Sequence, residues 1–446
     1  MKAHLTLLLA CSIIATASAQ TIHHVDASAA PGGNGHSWSQ AFATLDHALD
    51  AAFNGDQVWV AAGSYKPRHR TVANDPRSVT FSPRNGVQMY GGFAGDEATL
   101  DARAGLFAET ILEGEIGHPS TINDNARHVV RLDGNGFFHT FDGFCVQNAN
   151  ADGSQQNGTG GGIFVQLGSK QIRNCIFRRN RAVRGGALYV EASICRIQNC
   201  LFEENLAFRG GGLFATMQVQ VANCVFRRNG AFNTGGAILL TQGVDYSSGL
   251  PRSIFQNCLF YSNRARTGGA VFLSAGGVTN TPGKAVFTGC TLVANFAAIR
   301  GGAIATPPDF LQQCDCRVWN SILWNNEAPE GPQYNGNANH IEVLYSDFQG
   351  GWPGTGNIDS PPRFKNALGH DYELRFLSPC IDSGSNPHIM FDFCDLDNDD
   401  VFNEATPIDL LGNPRRDDDP TIPDTGAGNA PITDMGAYER VSGSDG

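Results

Sequence analysis

The chain has 446 residues and a net charge of −12, from 31 basic and 43 acidic residues. That balance excludes a dedicated nucleic-acid binder, which needs a basic surface to neutralise phosphates, and it makes divalent cations reasonable ligands. Glycine reaches 53 residues and proline 21, while charged residues make up only 17%, which suits a turn-rich all-β chain better than a helical one.

Residues 1–19 read as a secretory signal. Lys2 supplies the leading charge, residues 5–15 the apolar stretch, and Ala17-Ser18-Ala19 a small-residue cleavage site before Gln20. The apolar run is too short to span a bilayer. The mature chain is therefore expected to be secreted and extracellular, with cell-surface association as a variant of that reading.

Residues 21–26 predict an edge strand, followed by a Pro-Gly-Gly-Asn-Gly turn. A helix comes next. Ser37 and Gln40 match a capping box, Trp38, Ala41, Phe42, Leu45, Ala48, Leu49 and Ala52 share one face, and Asn54-Gly55 ends it. A stack of coils exposes an apolar end, so this helix is expected to act as a lid, in an N-terminal unit over 20–65. His23-His24 read as exposed strand histidines rather than metal ligands.

Coils are expected over 66–330, irregular at first, with polar excursions at 67–76 and 97–108. Between residues 172 and 303 one phrase then recurs: an apolar run ending Cys-x-Phe (Cys-x-Leu in the last copy), two variable residues, Asn, and a Gly-Gly pair. Residues 172–187 read IRNCIFRRNRAVRGGA, 197–212 IQNCLFEENLAFRGGG and 221–237 VANCVFRRNGAFNTGGA; 255–270 and 287–303 are further copies. So short a period, made of strand formers and corner residues, means stacked coils rather than one folded core.

In such a stack Phe177, Phe202, Phe226 and Phe260 form an interior ladder that Leu292 and Leu323 continue. Asn180, Asn205, Asn229, Asn263 and Asn295 are expected at left-handed turns with amides reaching the next rung, and Gly185-Gly186 and its copies at a second sharp bend. Cys175, Cys200, Cys224, Cys258 and Cys290 share one slot. Buried free thiols are the preferred reading, disulfides between neighbouring rungs are sterically conceivable, and no Cys/His spacing supports metal.

Cys175, Cys200 and Cys224 are 25 and 24 residues apart, but the next two spacings are 34 and 32. The excess lies at 243–251 and 276–283, after the Gly-Gly strands, where insertions commonly shape a binding face.

Two charged features are candidate sites. Arg184, Arg209 and Arg300 precede the glycine pair in three copies, and Arg266 lies one place further back in another. Stacked, they would form a basic stripe able to hold the carboxylates of an acidic glycan, or to pair with nearby acids. The precedent for pairing is a neighbouring slot that alternates Arg178-Arg179, Glu203-Glu204 and Arg227-Arg228. The second feature is DFCDLDNDDVFNE at 392–404. Asp395, Asp397 and Asp399, with Glu404, suggest a Ca2+ loop, although Asp400 stands where an EF-hand has glycine. A solvated acidic loop is the alternative.

The Phe177/Asn180/Gly185-Gly186-Ala187 pattern resembles the repeat of chlamydial polymorphic outer membrane proteins, and more broadly the right-handed parallel β-helix proteins of the pectin-lyase-like superfamily. Residues 319–326, Ser378-Pro379-Cys380-Ile381-Asp382-Ser383-Gly384, 409–415 and Asp434-Met435-Gly436-Ala437-Tyr438-Glu439 resemble a choice-of-anchor Q type region. The resemblance implies an all-β, right-handed parallel β-helix with an N-terminal capping helix, and an irregular C-terminal cap over 331–440 before a tail at 441–446.

β-Helix proteins include polysaccharide hydrolases and lyases. Most of the hydrolase motifs (Asn-Thr-Asp, His-Gly and Arg-Ile-Lys among them) are absent here, as is the Trp-Ile-Asp-His of pectate lyases, and paired aspartates fall only in the tail. The leading expectation is a monomeric, non-catalytic protein recognising polysaccharides or cell-surface glycans. The alternative is a polysaccharide lyase acting on acidic polymers with the stripe arginines as carboxylate clamps.

Overall fold

The structure is a computed structural model that describes residues 20–134, 138–242, 253–275, 283–307 and 314–441. The leader at 1–19 and nearly all of the insertions at 243–251 and 276–283 lie outside the described residues.

Each repeat forms one coil of four short strands. In the clearest coil, Leu188–Gln198 runs along a first face and bends at Ala192 onto a second; Leu201–Glu203 forms a third and Leu206–Arg209 a fourth. Every strand pairs in parallel with its counterpart one coil away, as Ile176–Arg178 does with Leu201–Glu203 and that strand with Val225–Arg227. The coils wind into a right-handed parallel β-helix.

The interior explains the repeat. Phe177, Phe202, Phe226 and Phe260 are wholly buried and stack with centroids 4.9, 4.5 and 4.9 Å apart. The register carries the column on to Leu292, Leu323 and Phe348. Each such side chain contributes roughly 1.5–3 kcal/mol by leaving water. The repeat cysteines are free, buried thiols; Cys200, Cys224 and Cys258 each donate to the carbonyl two residues earlier at 3.2 Å.

The asparagines divide two tasks that the sequence reading had merged. Asn180, Asn205, Asn229, Asn263 and Asn295 do not have left-handed backbones; the residues just before them do, at φ 54° for Arg179, 55° for Glu204 and 54° for Arg228. The asparagine turns inward instead. Its Nδ2 donates to Oδ1 of the asparagine one rung on, 3.2 Å from Asn180 to Asn205, then 3.0 Å to Asn229, 3.0 Å to Asn263, 2.9 Å to Asn295 and 2.9 Å to Asn326. The left-handed asparagines are a second set, Asn174, Asn199, Asn223, Asn257 and Asn320, at the corner between the second and third faces. Glycine is required at the last corner: Gly210 has φ 63°, and a Cβ on Gly211 would lie 2.3 Å from the carbonyl oxygen of Gly236.

Both ends of the core are closed. The helix is shorter than expected, Leu45–Ala51, preceded by a single 3-10 turn at Trp38–Gln40, and Ser37 makes no cap through its side chain. Leu45, Ala48, Leu49 and Ala52 nonetheless bury against Val25, Val58 and Val60. His23 and His24 are buried rather than exposed. His23 faces Asp56 at 3.3 Å, and His24 bonds the Gly35 carbonyl at 3.0 Å with its ring edge against Trp38. At the other end Trp352 packs on Tyr334 and Phe348.

Strand pairing continues past residue 330 to Asp347–Phe348. The chain then doubles back along the outside of the helix, held by the corner asparagines. Asn320 bonds the Ser385 carbonyl at 2.9 Å, Asn257 that of Ile408 at 2.7 Å, and Asn223 that of Asp409 at 2.8 Å. Tyr372 and Leu410 cover Leu259, Tyr261 and Val293 on the third face. The tail thus buttresses the later coils and leaves the fourth face uncovered.

Candidate functional site

The fourth face is built from Arg181–Arg184, Leu206–Arg209, Gly230–Thr234, Arg264–Thr267 and Phe296–Arg300. Alternation puts Ala207, Ala231, Ala265 and Ala297 into the interior and turns the intervening side chains outward. Phe208, Phe232 and Phe296 are accordingly 47%, 68% and 37% exposed. Arg209 lies 5.8 Å from the Phe208 ring and Arg264 5.5 Å from the Phe296 ring. These strands contain no lysine, histidine, aspartate or glutamate.

Along the trailing edge the pairing places Thr159, Arg184, Arg209, Thr234, Thr267, Arg300 and Glu330 in one column. Arg184 and Arg209 are direct neighbours, whereas two threonine rungs separate them from Arg300. Arg266 is out of the column, exposed beside Thr267. None of the four pairs with a carboxylate among the described residues.

Arg184 borders a recess of about 410 Å3 shared with Gln155, Gln166, Tyr189 and Glu191. Burial raises the Tyr189 hydroxyl above its ordinary pKa; Glu191 adds to that shift and Arg184 opposes it.

The leading edge carries residues that the sequence reading did not select. Arg179, Arg181, Arg228 and Arg264 line an open groove of about 700 Å3 together with Glu204 and Ser262. Among the described residues Glu204 is the only carboxylate on its wall, shared between Arg179 at 3.7 Å and Arg228 at 4.0 Å, and Arg181 and Arg264 have no acidic partner. The signal was available: residues 181 and 264 follow the repeat asparagine directly, and that position faces outward at the start of the fourth face.

The neighbouring third face differs. There Arg227 meets Glu203 at 2.5 Å, and Arg178 meets Gln147 at 2.6 Å. On that face these arginines already have side-chain partners, one a carboxylate and one an amide. The fourth face has arginines along both edges, with exposed Phe208 and Phe232 between them and Phe296 beside Arg264 in the leading column, an arrangement able to hold carboxylates through forked N–H donors and to stack apolar surface.

The acidic loop forms two overlapping groups. Asp395, Asp397 and Asp399 offer oxygens within 4.8 Å of one another, and so do Asp392, Asp397 and Glu404. Glu404 therefore joins Asp397 but groups with the buried Asp392 rather than with Asp395 and Asp399. Asp395 Oδ1 is already engaged by the backbone N–H groups of Asp399 and Asp400 at 2.9 and 3.1 Å.

Comparison with known proteins agrees with this architecture. A family model described as a right handed beta helix region matches residues 119–303. The solved structure of pectate lyase Pel9A aligns over 95% of this chain and 97% of its own, with TM-score 0.53 and 13% identity. A rhamnogalacturonan lyase aligns over 77% of this chain and 90% of its own, at TM-score 0.45 and 13% identity. A pectin methylesterase from carrot covers the same shares at TM-score 0.40 and 13% identity. No curated protein sequence matches the chain. At such identities the likeness is one of fold, and the chain is a right-handed parallel β-helix protein. Among the described residues no helix is long and apolar enough to cross a membrane.

Proposed function

We propose that this protein is an exported, extracellular recognition protein that binds acidic polysaccharides along its fourth face without cleaving them. The observation that carries the reading is that Arg181, Arg184, Arg209, Arg264, Arg266 and Arg300 form no ion pair among the described residues, in a chain of net charge −12. An arginine held in no ion pair binds an anion without first breaking one, and a linear polyanion can engage Arg184 and Arg209 on adjacent rungs, ~4.8 Å apart. Phe208, Phe232 and Phe296 add flat apolar surface for sugar rings. The structures of polysaccharide-acting enzymes on the same fold give this substrate class its context, and their chemistry stays their own.

β-Elimination needs a base poised at the α-proton beside the carboxylate clamp. The strands of the fourth face offer only arginine among their titratable side chains. The test is to incubate the protein with acidic and neutral polysaccharides, following bound protein and unsaturated uronate absorbance in the same samples. Saturable, salt-sensitive binding to acidic polymers without absorbing product is expected. Steady product formation would overturn the non-catalytic reading, and equal binding to neutral polymers would overturn the role of the arginines.

A further inference from the structure

In the returning tail, Asp382 is wholly buried, and both its carboxylate oxygens lack a hydrogen-bond partner among the described residues. Burying an unpaired carboxylate is costly, and native structures normally answer such a group with a donor, a cation or a metal. Here the carboxylate is met by more negative charge. Asp418 and Asp424, both exposed, place oxygens within 4.8 Å of it and of one another.

The two buried arginines nearby are committed elsewhere. Arg415 faces Glu439 at 3.6 Å and donates to the carbonyls of Asp434 and Gly436, and Arg440 pairs with Asp419. None of Asp382, Asp418 and Asp424 forms an ion pair among the described residues.

The backbone holds this geometry from both sides. Asp382 has φ 50°, its N–H donates to Asp434 at 2.8 Å, and its carbonyl accepts from Thr425 and Gly426 at 2.9 and 3.0 Å. The Asp424 loop is thereby fastened against Asp382.

From this juxtaposition we propose that Asp382, Asp418 and Asp424 form a calcium site that locks the returning tail onto itself. The oxygen-only donor set is that of a hard cation. Calcium binds oxygens at about 2.3–2.6 Å, so ligands on opposite sides of one ion lie about 5 Å apart, and the exposed rim formed by Asp418 and Asp424 leaves room for water to complete its shell. The site is separate from the Asp395–Asp399 loop, where the buried carboxylate, Asp392, is already satisfied by the N–H groups of Cys394 and Leu396 at 3.3 and 2.7 Å.

The test uses the mature full chain after chelator treatment, titrated with CaCl2 by calorimetry and followed by thermal unfolding with and without calcium. Saturable binding with a calcium-dependent rise in the unfolding midpoint is expected. Changing a metal's outer partners alone typically costs 10- to 100-fold in affinity, so Asp382→Asn and Asp424→Asn, which remove ligands, should each weaken binding by about 100-fold or more. Asp382→Asn should also raise the midpoint in the absence of calcium, because it removes a buried unpaired charge. Asp397→Asn should leave this binding unchanged. The proposal fails if the wild-type chain takes up no calcium, if Asp424→Asn binds as tightly as wild type, or if Asp397→Asn alone abolishes binding. Asp424 is exposed, so its variant decides the matter should Asp382→Asn fail to fold.

Discussion

Asn229→Ala probes the internal asparagine ladder at its centre. The Asn229 side chain donates to the Phe202 carbonyl at 2.8 Å and to Asn263 Oδ1 at 3.0 Å, and accepts from the backbone and side-chain amides of Asn205 at 3.2 and 3.0 Å. Two of these losses have a remedy: Asn205 Nδ2 keeps the Phe177 carbonyl, and Asn263 Oδ1 keeps the backbone N–H of Asn229. The backbone N–H of Asn205 and the Phe202 carbonyl lose their side-chain partner in a dry interior. At about 1–3 kcal/mol for the orphaned N–H, about 1 kcal/mol for the bond lost to the Phe202 carbonyl, which stays in the strand ladder, and with a small cavity added, the cost is roughly 2–5 kcal/mol.

Asn199→Ala is the matched control. Asn199 is exposed with φ 52°, so its loss costs only the left-handed preference of asparagine, about 1 kcal/mol. Urea unfolding of both variants, followed by circular dichroism, measures the difference. Equal destabilisation of the two, or a loss below about 1 kcal/mol for Asn229→Ala, would refute the reasoning.

Two further outcomes follow from burial. Asp347, wholly buried with Asp359 adding like charge, has its carboxyl pushed up to about 7 from 3.8. Its contribution to stability is therefore complete below about pH 4 and lost as pH rises through 7; Asp347→Asn should remove that decline, at most roughly 4 kcal/mol, in unfolding curves recorded from pH 4 to 8. The thiols of Cys175, Cys200 and Cys290 are raised well above their ordinary pKa by burial, so a thiol reagent at pH 8 should label them only after denaturation; rapid labelling of the native chain would contradict the packed ladder.

The coils were legible because one residue type per slot is repeated, and a stack turns repetition into contact. Phe177, Phe202 and Phe226 could be placed in one interior column without coordinates. The asparagines show where this reasoning stops. Asparagine suits both a left-handed corner and an amide ladder, and only backbone angles assign Asn199 to the first and Asn205 to the second. The arginine rows were half legible. Arg184, Arg209 and Arg300 share the slot before the glycine pair and do share a column, with Thr267 rather than Arg266 in it, whereas Arg181 and Arg264 at the start of the strands recur in too few copies to stand out. The tail was the least legible part, because its contacts join residues as distant as Asn223 and Asp409, and the partnerless state of Asp382 exists only in three dimensions.

The most direct test of the functional account is the affinity of polygalacturonate for the wild-type chain, for an Arg184→Ala/Arg209→Ala double variant, and for Arg317→Ala. Arg317 lies on another face and is already paired with Glu342 at 3.3 Å. Charge-assisted bonds to the polymer predict a loss of about tenfold or more for the double variant and none for Arg317→Ala. Equal affinities across the three proteins would show that the polymer does not bind along the fourth face.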